Sequence, residues 1–375
     1  MNPIRSRIGL ALSGGGIRAS IFHLGVLQYL AESGLFSRIA SISSVSGASL
    51  AMGVVFAANG NKWPTSDEFL HHVQPRVRQI ILESCIQTTA LRRLPFSPQY
   101  WWNRVKLLAR ILEKKWGITG SLQNLPKYPY WEINCTTFET GKNFRFRRDY
   151  MGDACIGYVQ NPELPISHMI AASAAFPVLI GPYVLKTAGM RWTKDKKGLT
   201  PEIAVGGRYT LWDGGVYDNL GLDSLYKVGR GFERELDEEI DFLIVSNAGA
   251  SIRRQERRGH ISLANLRRLL DIATNQVEVI KSQQVYSSIV SNCKGMYLKI
   301  GLSAEQISAA YDAINALDMH HEFGRNFLSA EDTAKVQKYS TTLNSPTIAD
   351  FDLIFRHGYE NAKCVHTIRK SHPGC

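Results

Sequence analysis

Two strand-like runs, each ending in a glycine-containing turn that opens a helix-like run, constrain this chain more than any other feature. Ile8 to Leu12 leads through Ser13-Gly14-Gly15-Gly16-Ile17-Arg18 into a helical pattern reaching Ser33. Ile39 to Ile42 leads through Ser44-Val45-Ser46-Gly47-Ala48 into a second helical pattern, Gly47 to Ala58. Such a βαβα opening calls for an α/β fold: a mostly parallel sheet, helices on its faces, and a site at the carboxyl ends of the strands. Both turns fall at that edge, where backbone N–H groups or a single side chain can be presented to a ligand.

The rest of the pattern elaborates this frame. Residues 67–116 read as a helical insertion broken near Pro95 and Pro98, and Trp131 to Phe138 and Asn143 to Arg147 read as strands. Ile166 to Ala175 reads as a helix stopped by Pro177, Ile203 to Leu211 as a strand into Trp212-Asp213-Gly214-Gly215, and Leu220 to Val228 as a helix. Asp241 to Ser246 is a buried strand. The long helix Leu263 to Val285 has Leu266, Leu269, Leu270, Ile272 and Ala273 on its apolar side, and a terminal helix runs from about Ala349 to Ile368. With no repeat and no low-complexity linker, the expectation is one elaborated domain over residues 1–375, ending in a helical region from about residue 260.

At 44% apolar residues the chain can fill a large core, and dominant disorder is excluded. The stretch Ile39 to Ala58 carries no charge and approaches the length of a membrane span. Its five serines and two glycines fit a buried strand, turn and helix better, so no transmembrane helix is expected. Nor does the start read as a signal peptide, and a cytoplasmic protein is expected. Six dispersed cysteines without metal-like spacing point to free thiols. The formal charge of +11 favours anionic surfaces, either acidic lipid or nucleic acid.

Three turns carry candidate chemistry. Ser46 sits where a nucleophile elbow requires small neighbours, and Ser44 and Ala48 supply them while departing from G-x-S-x-G. Alone, Ser46 would read as a helix N-cap. The three successive glycines allow close backbone approach and can direct N–H groups at developing negative charge, with Arg18 adding a cation. Gly14, Gly16 and Ala19 also fit a dinucleotide pattern, but the second strand ends in Ser43-Ser44 rather than a ribose-binding acid. Asp213 is read either as an ordinary turn aspartate or as a base, since Asp218 and Asn219 are better placed to cap a following helix.

In combination these segments resemble the patatin-like phospholipase family. Ser13-Gly14-Gly15-Gly16-Ile17-Arg18-Ala19-Ser20 matches its glycine-rich oxyanion segment and Val45-Ser46-Gly47-Ala48-Ser49 resembles its elbow. Ala171-Ala172-Ser173-Ala174-Ala175-Phe176-Pro177 resembles its small-residue helix, and Asp213-Gly214-Gly215 matches its D-G-G motif. The resemblance covers about the first 250 residues. It implies a three-layer patatin-like fold with a helical cap, and a lipid acyl hydrolase in which Asp213 takes the Ser46 proton directly. It also implies an oxyanion site drawn from Gly14, Gly15, Gly16, Arg18 and Gly47, with no cofactor and no metal. His23 and His168 are weighed as a third catalytic member and read as structural. His320-His321-Glu322 with Asp318 matches no ligand set.

Expected partners follow from surface chemistry. Leu91-Arg92-Arg93-Leu94-Pro95-Phe96 with Tyr100-Trp101-Trp102 and Arg104 mixes cations with aromatics, as a lipid interface favours, so peripheral contact with an anionic phospholipid membrane is expected. Arg253, Arg254, Arg257 and Arg258 form a second basic patch for acidic headgroups or a regulator's phosphates; nucleic acid is the less favoured ligand. The opposing reading is a catalytically weak binding protein that holds a nucleotide or acidic lipid at the glycine loop and basic patches.

Overall fold

The computed structural model describes residues 7–101, 103–177, 180–227, 231–232, 240–250, 252, 262–315 and 327–371. Strands β1 (Ile8–Leu12) and β2 (Ile39–Val45) are buried along their whole length, so helices on both faces must shield them, and continuous burial explains their uninterrupted apolar and serine character. Helices α1 (Gly16–Glu32) and α2 (Gly47–Ala58) follow them, as expected. Beyond come β3 (Tyr130–Thr137), β4 (Asn143–Phe146), β5 (Tyr150–Asp153), β6 (Gly157–Gln160), β7 (Tyr183–Lys186), β8 (Trp192–Thr193), β9 (Glu202–Ile203) and β10 (Arg208–Asp213). A two-stranded ribbon of β11 (Tyr226–Lys227) and β12 (Gly231–Phe232), then β13 (Phe242–Asn247) and β14 (Gly295–Lys299), complete the strands.

The heart of the sheet is parallel, in the order β14-β13-β1-β2-β3, with β1 at its centre. An antiparallel wing, β4-β5-β6-β8-β9, extends from β3, while β10 pairs antiparallel with both β3 and β7. The period of two along β1 divides the core. Ile8, Leu10 and Leu12 join the large cluster packed by α1, α2 and the terminal helix Ile348–Ser371. Ala11 turns to a smaller cluster with Leu243, Val245, Leu220, Leu222, Leu225 and Tyr297. The sheet is thus covered on both faces, the three-layer arrangement expected.

The insertion is helical, with Gln74–Glu83, Ile86–Arg93 and Arg104–Trp116 as its main pieces and breaks at Pro95 and Pro98. It packs through Arg104–Trp116 on the helix Ile166–Ser173. Among the described residues no helix is long and apolar enough to cross a membrane.

Three local expectations are corrected. Leu220 to Val228 is not helical over its described part: the helix is the short Gly215–Asp218, and a turn follows. Gly221 at φ +66° breaks any helix there, and Asp218 accepts the N–H groups of Leu220 (3.2 Å) and Asp223 (2.8 Å), holding the turn. The strand expected over Ile203 to Leu211 divides into β9 and β10 around Gly206-Gly207. The helix Leu263–Val285 forms over the expected residues, with Leu266, Leu269 and Ile272 of its apolar side exposed. Cys85, Cys135, Cys155 and Cys364 are free thiols, whereas Cys293 is disulfide-bonded.

Candidate active site

Ser46 caps the junction of β2 and α2 at φ 51° and ψ −115°, a left-handed conformation that costs a β-carbon-bearing residue about 1–3 kcal/mol. Its side chain makes no N-cap hydrogen bond, so the capping role is not what holds it there. What does is a buried polar scaffold. The Ser46 N–H donates to the Ser173 hydroxyl at 3.0 Å, and Ser173 in turn donates to the Asn134 carbonyl at 2.7 Å. Ser49 bridges Ser173 and Ser44, 2.9 Å from each, and the Trp131 indole N–H donates to Ser44 at 2.9 Å. The serines that interrupt the charge-free stretch Ile39 to Ala58 therefore serve the elbow. Ser46 itself is partly exposed while its neighbours on both sides are buried.

The two turns meet through their backbones. A Cβ on Gly47 would overlap the Gly16 carbonyl oxygen and lie 2.7 Å from the Gly16 nitrogen, so only glycine allows this approach. Gly15 and Gly16 adopt φ of 145° and 62°, turning the loop toward Ser46. A Cβ on Gly14 would stand 3.1 Å from the Ser46 Cβ. The glycine loop and the first turn of α2 thus converge beside the serine side chain, where Gly15, Gly16 and Gly47 are candidate N–H donors.

Two residues expected in the oxyanion group are otherwise engaged. The Gly14 N–H donates to the Asn219 carbonyl at 3.0 Å, so Gly14 holds the loop in place rather than donating to a substrate. The buried Arg18 guanidinium donates to the carbonyls of Ala248 (3.0 Å) and Tyr339 (2.6 Å), fastening α1 to the C-terminal third. Ile17, in the first turn of α1, donates its N–H to the Thr342 carbonyl at 2.9 Å, which removes one donor that a phosphate at this helix end would need.

Asp213 ends β10 next to β3 and is buried. Its N–H donates to the Ala175 carbonyl at 3.1 Å and Gly214 donates to the Ser173 carbonyl at 3.3 Å, so the small-residue helix supports both the elbow and the aspartate. The carboxylate accepts the Gly215 N–H at 2.8 Å, and the Ser46 side chain also favours its ionised form. Burial pushes its pKa up to about 6, outweighing the Gly215 and Ser46 interactions, which act to lower it. A carboxylate so placed is a stronger base than a solvated one yet remains largely ionised at neutral pH.

No histidine joins this pair among the described residues. His23 is held between the Ser246 hydroxyl and the Ser13 carbonyl, each at 2.9 Å, and burial pushes its pKa down to about 4. His168 packs edge-on against Tyr183, with ring centres 6.0 Å apart. Asp318, His320, His321, Glu322 and the arginine patch at 253–258 lie outside the described residues, as does Trp102. Sequence reasoning missed the supporting roles of Asn134 and Asn219. Both act through contacts between distant segments, and only the family-like run around Ser173 offered any signal.

Comparison with known proteins bears on the family and the fold. The curated mouse (Mus musculus) cytosolic phospholipase A2 gamma is 39% identical over 62 residues, 16% of this chain and 10% of that protein. The solved human GIVD cytosolic phospholipase A2 superposes with a TM-score of 0.54 at 13% identity, covering 97% of this chain and 60% of that one. That second likeness concerns the fold alone. VipD from Legionella pneumophila is matched at a TM-score of 0.42 and 16% identity over 98% of this chain and 67% of its own, too distant to carry weight. The chain spans only a tenth of the mouse protein and three-fifths of the human structure. The family model for patatin-like phospholipase matches residues 10–226, which is more than half of the sequence and contains every turn described above. The chain belongs to the patatin-like phospholipase family.

Proposed function

We propose that this chain cleaves acyl esters of membrane phospholipids or lysophospholipids through an acyl-enzyme on Ser46, with Asp213 as the base. The observation that carries this reading is a serine strained to positive φ beside a buried carboxylate whose pKa is raised to about 6. Asp213 accepts the hydroxyl proton as the Ser46 oxygen attacks the ester carbonyl, and returns it to the departing alcohol. It then deprotonates water for the second attack, which releases the fatty acid. Gly15, Gly16 and Gly47 supply N–H groups to the oxyanion. Their backbone dipoles are fixed before reaction, so no reorganisation is needed as charge develops.

The substrate surface is an anionic bilayer. Phe96 is 87% exposed, Leu91 61% and Trp101 52%, and Arg92 and Arg93 close the helix between them. The helix Ile86–Arg93 that carries Leu91 is linked to the glycine loop by one strap: the Gln87 N–H donates to the Leu343 carbonyl at 3.2 Å, and the preceding Thr342 accepts from Ile17. Aromatic and aliphatic groups beside cations suit the headgroup region, and the net charge of +11 adds long-range attraction.

The deciding experiment is fatty-acid release from anionic phospholipid vesicles by the wild type, Ser46→Ala and Asp213→Asn, each checked for folding. Release by the wild type that is lost in both variants supports the reading. Release that survives Ser46→Ala overturns it.

A further inference from the structure

The family match ends at residue 226, yet the described structure ties the candidate site to a helix some fifty residues further on. The helix Leu263–Val285 lays one side along the turn that follows Asp213. Lys281 pairs with Asp218 at 3.1 Å and stands over the Tyr217 ring, and Glu278 accepts the Asn219 side-chain N–H at 3.0 Å. Glu278 is buried, and its other oxygen accepts the Asn247 side chain at 2.8 Å. Asn247 in turn donates to the Tyr297 hydroxyl at 2.8 Å, which meets Ser282 of the same helix at 2.7 Å. The carboxylate is therefore held by two amide donors, one of them fixed in turn by Tyr297.

Asn219 is the piece this carboxylate fixes. An ionised carboxylate only accepts hydrogen bonds, so the amide must turn its NH2 to Glu278 and its oxygen the other way. That oxygen lies between the two motif turns, 2.5 Å from where a Cβ on Gly14 would be and 2.8 Å from where one on Gly215 would be. The same Gly215 position is 3.0 Å from an Asp213 carboxylate oxygen, and the same Gly14 position is 3.1 Å from the Ser46 Cβ. The main-chain carbonyl of Asn219 meanwhile holds the Gly14 N–H. One residue thus spaces the glycine loop from the aspartate turn, and among the described residues its side chain has one tether.

We propose that Glu278 is a positioning residue for the reaction proposed above: through Asn219 it sets the separation of the glycine loop and the Asp213 turn. This rests on Ser46 being the nucleophile. It assigns part of the active-site architecture to the C-terminal third, which the four family-like motifs do not reach. A misplacement of well under an ångström at either turn would slow the attack on the carbonyl while leaving lipid binding unchanged.

The test is the rate and extent of Ser46 labelling by an alkyl fluorophosphonate, read by intact mass, together with kcat and KM on a soluble ester. Glu278→Gln, Asn219→Ala and the double variant are compared with the wild type. Glutamine at 278 can accept from Asn219 or from Asn247 but not from both, so the tether is weakened with little change of shape. Expected are full labelling at a rate roughly ten- to a hundredfold slower, kcat lowered in proportion, KM unchanged, and no further loss in the double variant. Wild-type labelling rates in Glu278→Gln overturn the proposal. So do losses that multiply in the double variant, and so does a reduced labelled fraction at an unchanged rate, which marks a merely structural role. Should Glu278→Gln fail to fold, Asn219→Ala decides alone, because wild-type kcat in it refutes the tether. A wild type that does not label at Ser46 indicts the proposed function instead.

Discussion

Replacing Asp213 with asparagine is predicted to abolish hydrolysis and to stabilise the fold at neutral pH. Burial raises the Asp213 pKa from an ordinary 3.8 to about 6. A group whose folded pKa is raised favours the folded state when protonated; that contribution is fully present below about pH 4 and is lost as pH rises through about 6. Two pKa units correspond to about 3 kcal/mol of cost for holding the carboxylate ionised and buried at pH 7–8. Asparagine keeps an acceptor for the Gly215 N–H and carries no charge, so it escapes that cost. For a chain of this length, about 3 kcal/mol is a rise in Tm of about 4 °C. Thermal unfolding of both proteins from pH 5 to 8 should show the variant's advantage growing from pH 5 and levelling above pH 7. An advantage independent of pH, or a variant less stable at pH 8, would refute the argument that burial tunes this base.

Further outcomes follow from the same geometry. Gly47→Ala forces a methyl group into the Gly16 carbonyl, and should lower kcat on a soluble ester by roughly a hundredfold with folding retained, as circular dichroism would check. Ser173→Ala leaves the Ser46 N–H without its buried acceptor and should cost about 1–3 kcal/mol in denaturant unfolding, together with slower labelling of Ser46. Changing Leu91, Phe96 and Trp101 together to serine should cut hydrolysis of anionic vesicles several-fold while leaving a soluble ester unaffected, and equal loss on both substrates would contradict the membrane surface.

The opening βαβα unit was legible because its strands are buried on both faces and its turns need glycine for backbone contact, so the chemistry is written into consecutive residues. The turns that carry Ser46 and Asp213 were legible for the same reason: each is a short segment whose composition is constrained on both sides. The turn after Asp213 was misread. Leu220, Leu222 and Leu225 suggest a helical face, yet all three enter the small core cluster from a turn that Gly221 forces open. Exposure of Leu266, Leu269 and Ile272 could not be read either, since amphipathicity tells which side of a helix is apolar and not what covers it. Gly14 and Arg18 illustrate a different limit. Their residue types suit an oxyanion site, but their partners, Asn219, Ala248 and Tyr339, come from segments about 200 to 320 residues away. Nothing local in a sequence marks such a contact.

The most direct measurement is the intact mass of the wild type, Ser46→Ala and Asp213→Asn after exposure to an alkyl fluorophosphonate, with peptide mapping of any adduct and the wild-type rate followed across pH 5 to 8. The account predicts one adduct, on Ser46, formed at a rate that rises through about pH 6 as Asp213 ionises, absent from Ser46→Ala and strongly slowed in Asp213→Asn. An adduct on another residue, or undiminished labelling in Asp213→Asn, would contradict the Ser46–Asp213 assignment.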